Sequence, residues 1–161
     1  MQRLLRLTDI EPDNRVWKRD LAHAHLEAAE ISRSLSDDRG EATHLGVARR
    51  ISESLMREDR KLPAWQRLDA LIRFRIGVTQ DDAVAMDEAI ADLRRLQLQA
   101  PGDVQGITAY NKALVERARR ALSAGDRASA ERDARTALDS IAPTARQSND
   151  AGALLLHFEL P

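Results

Sequence analysis

The sequence predicts an all-α protein built from antiparallel helix hairpins. Apolar residues recur at alternating steps of three and four, which is the spacing of one face of an α-helix. Asx residues, prolines and glycines interrupt these stripes at regular places, as helix caps and stops do. Aromatic residues make up only 3% of the 161 residues, and a core of Leu, Ile, Val and Ala suits close helix packing better than a β-sandwich. The length fits one domain.

The first predicted hairpin covers residues 15–60. Asp13 or Asn14 is expected to cap its first helix, because short polar side chains accept the unpaired amides of a helix start. Asp38, followed three residues later by Glu41, resembles a capping box at the start of the second helix. The predicted apolar stripes are Trp17, Leu21, Ala24, Ala28, Ile31 and Leu35, and then Ala42, Leu45, Ala48, Ile51 and Leu55.

The second predicted hairpin covers residues 61–100. Pro63 lies in the first turn of its first helix, where a missing amide costs nothing, and Gly77 is predicted to end that helix. Thr79 and Asp82 are predicted to open the next helix. The stripes are Trp65, Leu68, Leu71, Ile72 and Ile76, and then Ala83, Met86, Ile90, Leu93 and Leu96.

The third predicted hairpin covers residues 101–143. Asp103 is expected to cap its first helix, Gly125 and Asp126 form the turn, and Pro143 is predicted to end the second helix. The stripes are Ile107, Tyr110, Leu114, Ala118, Ala121 and Leu122, and then Ala130, Ala134, Ala137, Leu138 and Ile141.

The third hairpin resembles a tetratricopeptide repeat (TPR). Repeats of this family have a Gly-Asp turn, followed by small residues at fixed offsets and by a proline near the end. In the first helix of this hairpin, Arg117 and Ala121 stand where the family usually has large apolar residues. Hairpin starts also recur, since Trp17 and Trp65 are 48 residues apart. Matching residues are Gly125, Asp126, Ala130, Ala134, Ala137 and Pro143, and the recurring starts are IEPDNRVW, EDRKLPAW and QAPGDVQG.

The resemblance implies a short right-handed α-solenoid over residues 1–161, with about three hairpins in a divergent, long form of the repeat. Residues 1–14 are then the end of a preceding repeat or an N-terminal cap, and residues 144–161 a C-terminal tail or cap. On this interpretation the chain is a piece of a longer protein.

The resemblance also implies a non-catalytic protein–protein interaction module, in which first helices line a concave groove for a peptide or a partner helix. We expect it in a bacterial regulatory or signalling protein. The basic bias of the groove favours an acidic or carboxylate-bearing peptide. The implied groove residues are His23, Leu26, Glu30, Arg33, Arg73, Lys112, Val115, Arg119 and Leu122.

Three other functions stay open from the sequence. The chain is an oligomerisation or spacer domain if the apolar segment 154–160 joins two copies as a homodimer, or a small-molecule sensor if a pocket lies between hairpins. Glu41 with His44, and Asp20 with His23, follow the Glu-x-x-His spacing of metal-binding bundles. A capping role explains Glu41 equally well, so we predict no metal and no cofactor.

Charge and hydropathy limit the partners and the location. The 25 basic and 26 acidic residues are mixed along the chain, so we expect no nucleic-acid partner.

His23 and His25 are two apart on a helix and point in different directions, which prevents them from binding one metal ion together. Without cysteine, thiol catalysis is excluded. No apolar run approaches the roughly 20 residues of a membrane span, and we expect a cytoplasmic protein, or a periplasmic one if the parent protein has a membrane anchor.

Overall fold

Six α-helices and no strand make up the part of the chain that the structure describes. A computed structural model describes residues 6, 10, 11 and 13–147, with the side chains of residues 142–147 excepted. The prediction of an all-α protein is confirmed. The helices are α1 Arg15–Ser34, α2 Asp38–Glu58, α3 Pro63–Gln80, α4 Ala83–Gln99, α5 Val104–Ser123 and α6 Arg127–Gln147.

The chain divides into two compact units, Met1–Leu93 and Arg94–Pro161. In the first unit α1 packs against α2 and α3, and α2 also packs against α3. In the second unit α5 packs against α6. Consecutive helices therefore pair in a repeat-like manner, whereas a single solenoid and membership of the tetratricopeptide family stay predictions.

Helix starts follow the predicted cap residues in three places. The side chains of Asn14, Asp82 and Asp103 accept backbone N–H groups two or three residues further on, at distances of 3.0–3.2 Å. The predicted turn between α5 and α6 is also present, because Gly125 has a φ of 82° that few other residues adopt without strain. These local predictions succeed because a cap needs only its own side chain and the next turn.

The start of α2 corrects one sequence prediction. Asp37, not Asp38, is the N-cap, and its Oδ1 accepts the Gly40 amide at 2.9 Å. Glu41 is not a capping residue, because it is buried and its Oε1 accepts a hydrogen bond from Thr79 Oγ1 of α3 at 2.8 Å. A capping box was predicted from spacing alone, whereas tertiary packing gives this carboxylate a partner on another helix.

The end of α3 lies three residues beyond the predicted stop at Gly77. The helix runs to Gln80, and Asp81 follows it in the left-handed conformation with a φ of 55°. Thr79 therefore belongs to α3 and does not open the next helix. A Cβ atom at Gly77 would stand only 3.0 Å from Met86 Cγ and 3.1 Å from its backbone nitrogen, so this glycine permits close approach of α4 and does not terminate α3.

Pro143 also fails to end its helix, since α6 continues to Gln147. A proline lacks an amide donor and disfavours helix in the residue before it, but helix on its C-terminal side keeps its other hydrogen bonds. The predicted helix end was therefore four residues early.

The buried face of α1 differs from the predicted stripe. Ile31 and Leu35, which were assigned to the core, are 61% and 73% exposed. Two polar residues, His25 and Ser32, lie in the buried face instead, and an apolar-only pattern necessarily misses them. Four more predicted stripe residues are exposed: Ala42, Ala83, Leu122 and Leu138. The buried residues of α1 are Leu21, Ala22, His25, Ala29 and Ser32.

Helix α3 is the central helix of the first unit. One side carries Leu68 and Ile72, which belong to the main buried cluster. The opposite side carries Phe74 and Gly77, which are buried as well. None of the described helices is apolar over a length that would cross a bilayer. The main cluster consists of Ala22, Ala48, Leu55, Trp65, Leu68 and Ile72.

Candidate interaction site

The predicted groove residues of α1 are partly used within their own unit. His23 is exposed, but Leu26 packs against the main buried cluster and Arg33 is half-buried. The Glu30 carboxylate accepts a hydrogen bond from Arg75 Nη2 of α3 at 2.5 Å. This part of the predicted surface therefore contributes to the contact between α1 and α3. Partial burial, and then Arg19, lower the pKa of the exposed His23 below its ordinary value.

Arg73, also predicted as a groove residue, joins helices of the first unit. Its Nε donates to Asp69 Oδ2 at 2.8 Å, and its Nη2 donates to Asp92 Oδ2 of α4 at 2.6 Å. The buried Ser52 hydroxyl of α2 donates to the other oxygen of Asp69 at 3.2 Å. This network spans α2, α3 and α4, so the guanidinium already has two carboxylate partners.

The predicted groove residues of α5, Lys112, Val115, Arg119 and Leu122, lie on one side of the helix. With Val104, which was not predicted, they define what we call the α5 face. Lys112 and Arg119 are exposed and Val115 is half-buried. Val104 and Leu122 are 59% and 58% exposed. Steps of three and four from residue 112 to residue 122 place the four predicted residues on a single stripe.

The cations of the α5 face differ from Arg117 of the same helix in their pairing. Lys112 and Arg119 form no ion pair with any residue that the structure describes. By contrast, Arg117 on the other side of α5 makes a two-point ion pair with Asp133 of α6, with both N···O distances at 2.7 Å. The α5 face thus carries two charges available to a partner.

Contacts on the inner side of α5 hold the helix in place. Asp133 is buried, and its pairing with Arg117 satisfies both carboxylate oxygens. One turn and a half earlier, Asn111 Oδ1 accepts a hydrogen bond from Ser140 Oγ at 2.5 Å. Planar, two-point arginine–carboxylate pairs fix geometry as well as distance. These contacts with α6 fix the position of α5 and leave the α5 face on its other side.

A histidine pair between α1 and α2 was missed by the sequence reading. His25 Nδ1 and His44 Nδ1 are 2.9 Å apart, and the ring centroids are 5.2 Å apart. His25 is only 6% exposed, and its buried Nε2 has no hydrogen-bond partner among the residues that the structure describes. Since a buried N–H without an acceptor is rarer than an unpaired acceptor, we assign the proton to His25 Nδ1, which donates to His44.

Burial, then His44 and Arg50, lower the pKa of His25 below its ordinary value. The sequence does hold a signal for this position, because residue 25 follows Leu21 by four and precedes Ala29 by four. A histidine at that spacing belongs to the buried face of the helix. The pair is consequently a polar contact of the α1–α2 hairpin.

The carboxylates of the two predicted Glu-x-x-His-like pairs, Glu41 with His44 and Asp20 with His23, are engaged by other residues. Glu41 is engaged with Thr79 of α3, and Asp20 accepts from its neighbour Arg19 at 2.7 Å. Nowhere in the described part of the chain do three His, Asp or Glu side chains converge in a way that would hold a metal ion. His25 also lacks the second hydrogen bond that usually orients a ligating imidazole.

Comparison with known proteins identifies no relative: no protein-family model, curated protein or solved structure matches this chain. Function therefore has to follow from the chemistry of the surfaces described above. The α5 face combines exposed apolar side chains with cations that have no partner within the described residues. We take it as the candidate site.

Proposed function

We propose that the protein is a non-catalytic interaction module that binds a peptide or helix of a partner protein along the α5 face. The observation that carries this proposal is the alignment of exposed Val104 and Leu122 on one helix side with Lys112 and Arg119, which form no ion pair with any described residue. Single exposed apolar residues are ordinary on protein surfaces. A row of them along one helix, flanked by charges, is typical of helix-in-groove recognition.

The energetics favour an apolar contact supported by charge. Burying apolar surface contributes about 25 cal/mol per Å², and the exposed valine and leucine side chains of the face supply such surface. Exposed ion pairs add only about 0.2–1 kcal/mol each and mainly select the partner. We expect Leu122 to provide affinity and the two cations to provide specificity.

The resemblance to tetratricopeptide repeats supports the same surface. In that family the first helix of each hairpin presents its inward side to a bound segment, and α5 is the first helix of the hairpin that carries the resemblance. Lys112, Val115, Arg119 and Leu122 are the positions that the resemblance implies for binding. Lys112, Arg119 and Leu122 are exposed and Val115 is half-buried, and a binding role requires such accessibility.

An unbiased peptide selection tests this function. A displayed library of helical peptides of about 20 residues is selected on the full chain and counter-selected on a Val115→Asp, Leu122→Asp variant whose helicity is verified by circular dichroism. We expect enriched peptides that bind the wild-type chain and lose at least about tenfold in affinity with the variant. Peptides that bind both proteins equally would place the site elsewhere and contradict the proposal.

Self-association through the first unit is a second candidate function. The exposed side chains of Ile31 and Leu35 lie one turn apart at the end of α1, and two copies of such a pair bury apolar surface when they meet. This candidate corresponds to an oligomerisation or spacer domain. Its test is the mass of the protein in solution, and the expected result is argued in the Discussion.

A further inference from the structure

We infer that the partner segment on the α5 face is an acidic amphipathic helix whose carboxylates recur once per heptad. This inference rests on the proposed function and adds the chemistry of the partner. Three properties of α5 lead to it: its charge, the spacing of its exposed residues, and the absence of other recognition groups on the same side.

Charge is unevenly distributed within α5. The helix contains four cations and one acid, although the whole chain has a net charge of −1. Arg117 is used by Asp133 of α6. The acid, Glu116, lies one turn from both Lys112 and Arg119 and has an interaction of its own. Two cations and one acid leave this side of the helix with a net positive charge. A complementary partner must therefore carry negative charge.

The spacing of these residues favours a helix over an extended peptide. Val115 and Leu122 are seven residues apart, and so are Lys112 and Arg119. Seven residues are two helical turns, about 10.5 Å along the axis. An apolar row with heptad spacing and a parallel row of charges beside it is the pattern with which helices pair side by side. A partner helix with leucines at the seam and glutamates at the flank matches both rows.

Other occupants fit the face less well. A second copy of the chain meeting α5 to α5 would bring Lys112 and Arg119 against the same cations, which repel. Single-stranded nucleic acid needs aromatic platforms for its bases, and Tyr110, the aromatic residue of α5, is buried. Two cations alone give little affinity for a phosphate backbone.

Two matched synthetic peptides test the inference. Both have about 21 residues and the same leucine seam, and they carry either glutamate or lysine at the flanking heptad positions. Fluorescence anisotropy with the full chain measures their Kd values at low and high salt. We expect the glutamate peptide to bind at least about tenfold more tightly at low salt, with the difference shrinking at high salt.

Charge reversal provides the decisive variant. Lys112→Glu with Arg119→Glu should reverse the preference, so that the lysine peptide binds more tightly. The matched control is Arg60→Glu with Lys61→Glu, which makes the same charge change at two exposed residues between α2 and α3. The control should keep the preference of the wild-type chain.

The outcomes separate this inference from the proposed function. Equal binding of both peptides, lost in Leu122→Asp, would overturn the acidic partner and leave the interaction site standing. Binding that Leu122→Asp leaves unchanged, or no binding of either peptide together with a selection that enriches nothing, would overturn the site as well. A preference that the control variant also loses would show that net charge and not the face selects the peptide, which contradicts the inference.

Discussion

At the scale of single residues, the protein places hydrogen-bonded polar side chains where an apolar core was expected. His25 occupies the buried face of α1 and meets His44 across the hairpin. Glu41 reaches Thr79 of α3, and Asp133 is held by Arg117. Each of these buried polar groups has a partner from another helix, which lowers the cost of burial.

The pKa of His25 makes a first prediction, because burial, His44 and Arg50 lower it below the ordinary value of 6.5. The unfolded chain then takes up the proton first, so the free energy of unfolding falls as pH decreases through about 6.5 and is retained above it. Urea denaturation of the wild-type chain and of His25→Gln at neutral and mildly acidic pH measures this. We expect the free energy of unfolding to depend less on pH in the variant. If it changed equally with pH in both proteins, the lowered pKa of His25 would be contradicted.

The residue scale also shows what the sequence could not reveal. A pattern restricted to apolar residues leaves out His25 and Ser52, whose hydrogen-bond partners lie on other helices; the spacing of residue 25 marks a buried position, but not its partner. Ile31 and Leu35 were predicted inside and are exposed, because an apolar stripe does not show which part of it meets a neighbouring helix. The predicted groove stays a prediction: Lys112 and Arg119 of α5 form no ion pair with the described residues, whereas Glu30 of α1 pairs with Arg75 of α3.

At the scale of helices, starts were predicted well and ends poorly. A cap such as Asn14 or Asp103 acts on its own first turn, so nearby sequence is enough to find it. The ends of α3 and α6 depend on tertiary packing, and both lie beyond the glycine or proline that was expected to stop them. A glycine such as Gly77 has two explanations, conformation or close packing, and only the structure distinguishes them.

The close packing at Gly77 makes a second prediction. A Cβ atom there would lie 3.1 Å from the Met86 nitrogen and 3.2 Å from the Asp82 oxygen, and backbone atoms yield less easily than side chains. We expect Gly77→Ala to lower the free energy of unfolding by about 1–3 kcal/mol, despite the better helix propensity of alanine. Chemical denaturation measures the change.

Gly102 supplies the matched control for that substitution. A Cβ atom at Gly102 meets nothing within 4 Å, so Gly102→Ala should change stability by no more than about 0.5 kcal/mol. If both variants were equally stable, the approach of α4 to α3 would be looser than the structure shows. If both were equally destabilised, backbone conformation and not packing would be the cause.

At the scale of the whole molecule, both compact units join their helices through arginine–carboxylate pairs, as Arg117 and Asp133 do in the second unit. In the first unit, Arg73 and Arg75 connect helices through carboxylates, so charge there stabilises the packing. In the second unit, Lys112 and Arg119 have no such partners among the described residues. Within the second unit, α5 therefore carries both a cation that holds α6 and cations that remain for the proposed partner.

The state of the protein in solution decides between the interaction module and the spacer. Two copies meeting through the α5 face would oppose like charges, which disfavours a homodimer there. We therefore expect light scattering after size exclusion to give the monomer mass of 18.0 kDa across a wide range of protein concentrations, for the full chain and for a chain ending at Gln147. A dimer of the full chain that becomes a monomer on truncation would identify the C-terminal segment as the association element. A dimer that persists on truncation but is lost in Ile31→Asp, Leu35→Asp would instead assign association to the end of α1, and either result would favour the spacer over the interaction module.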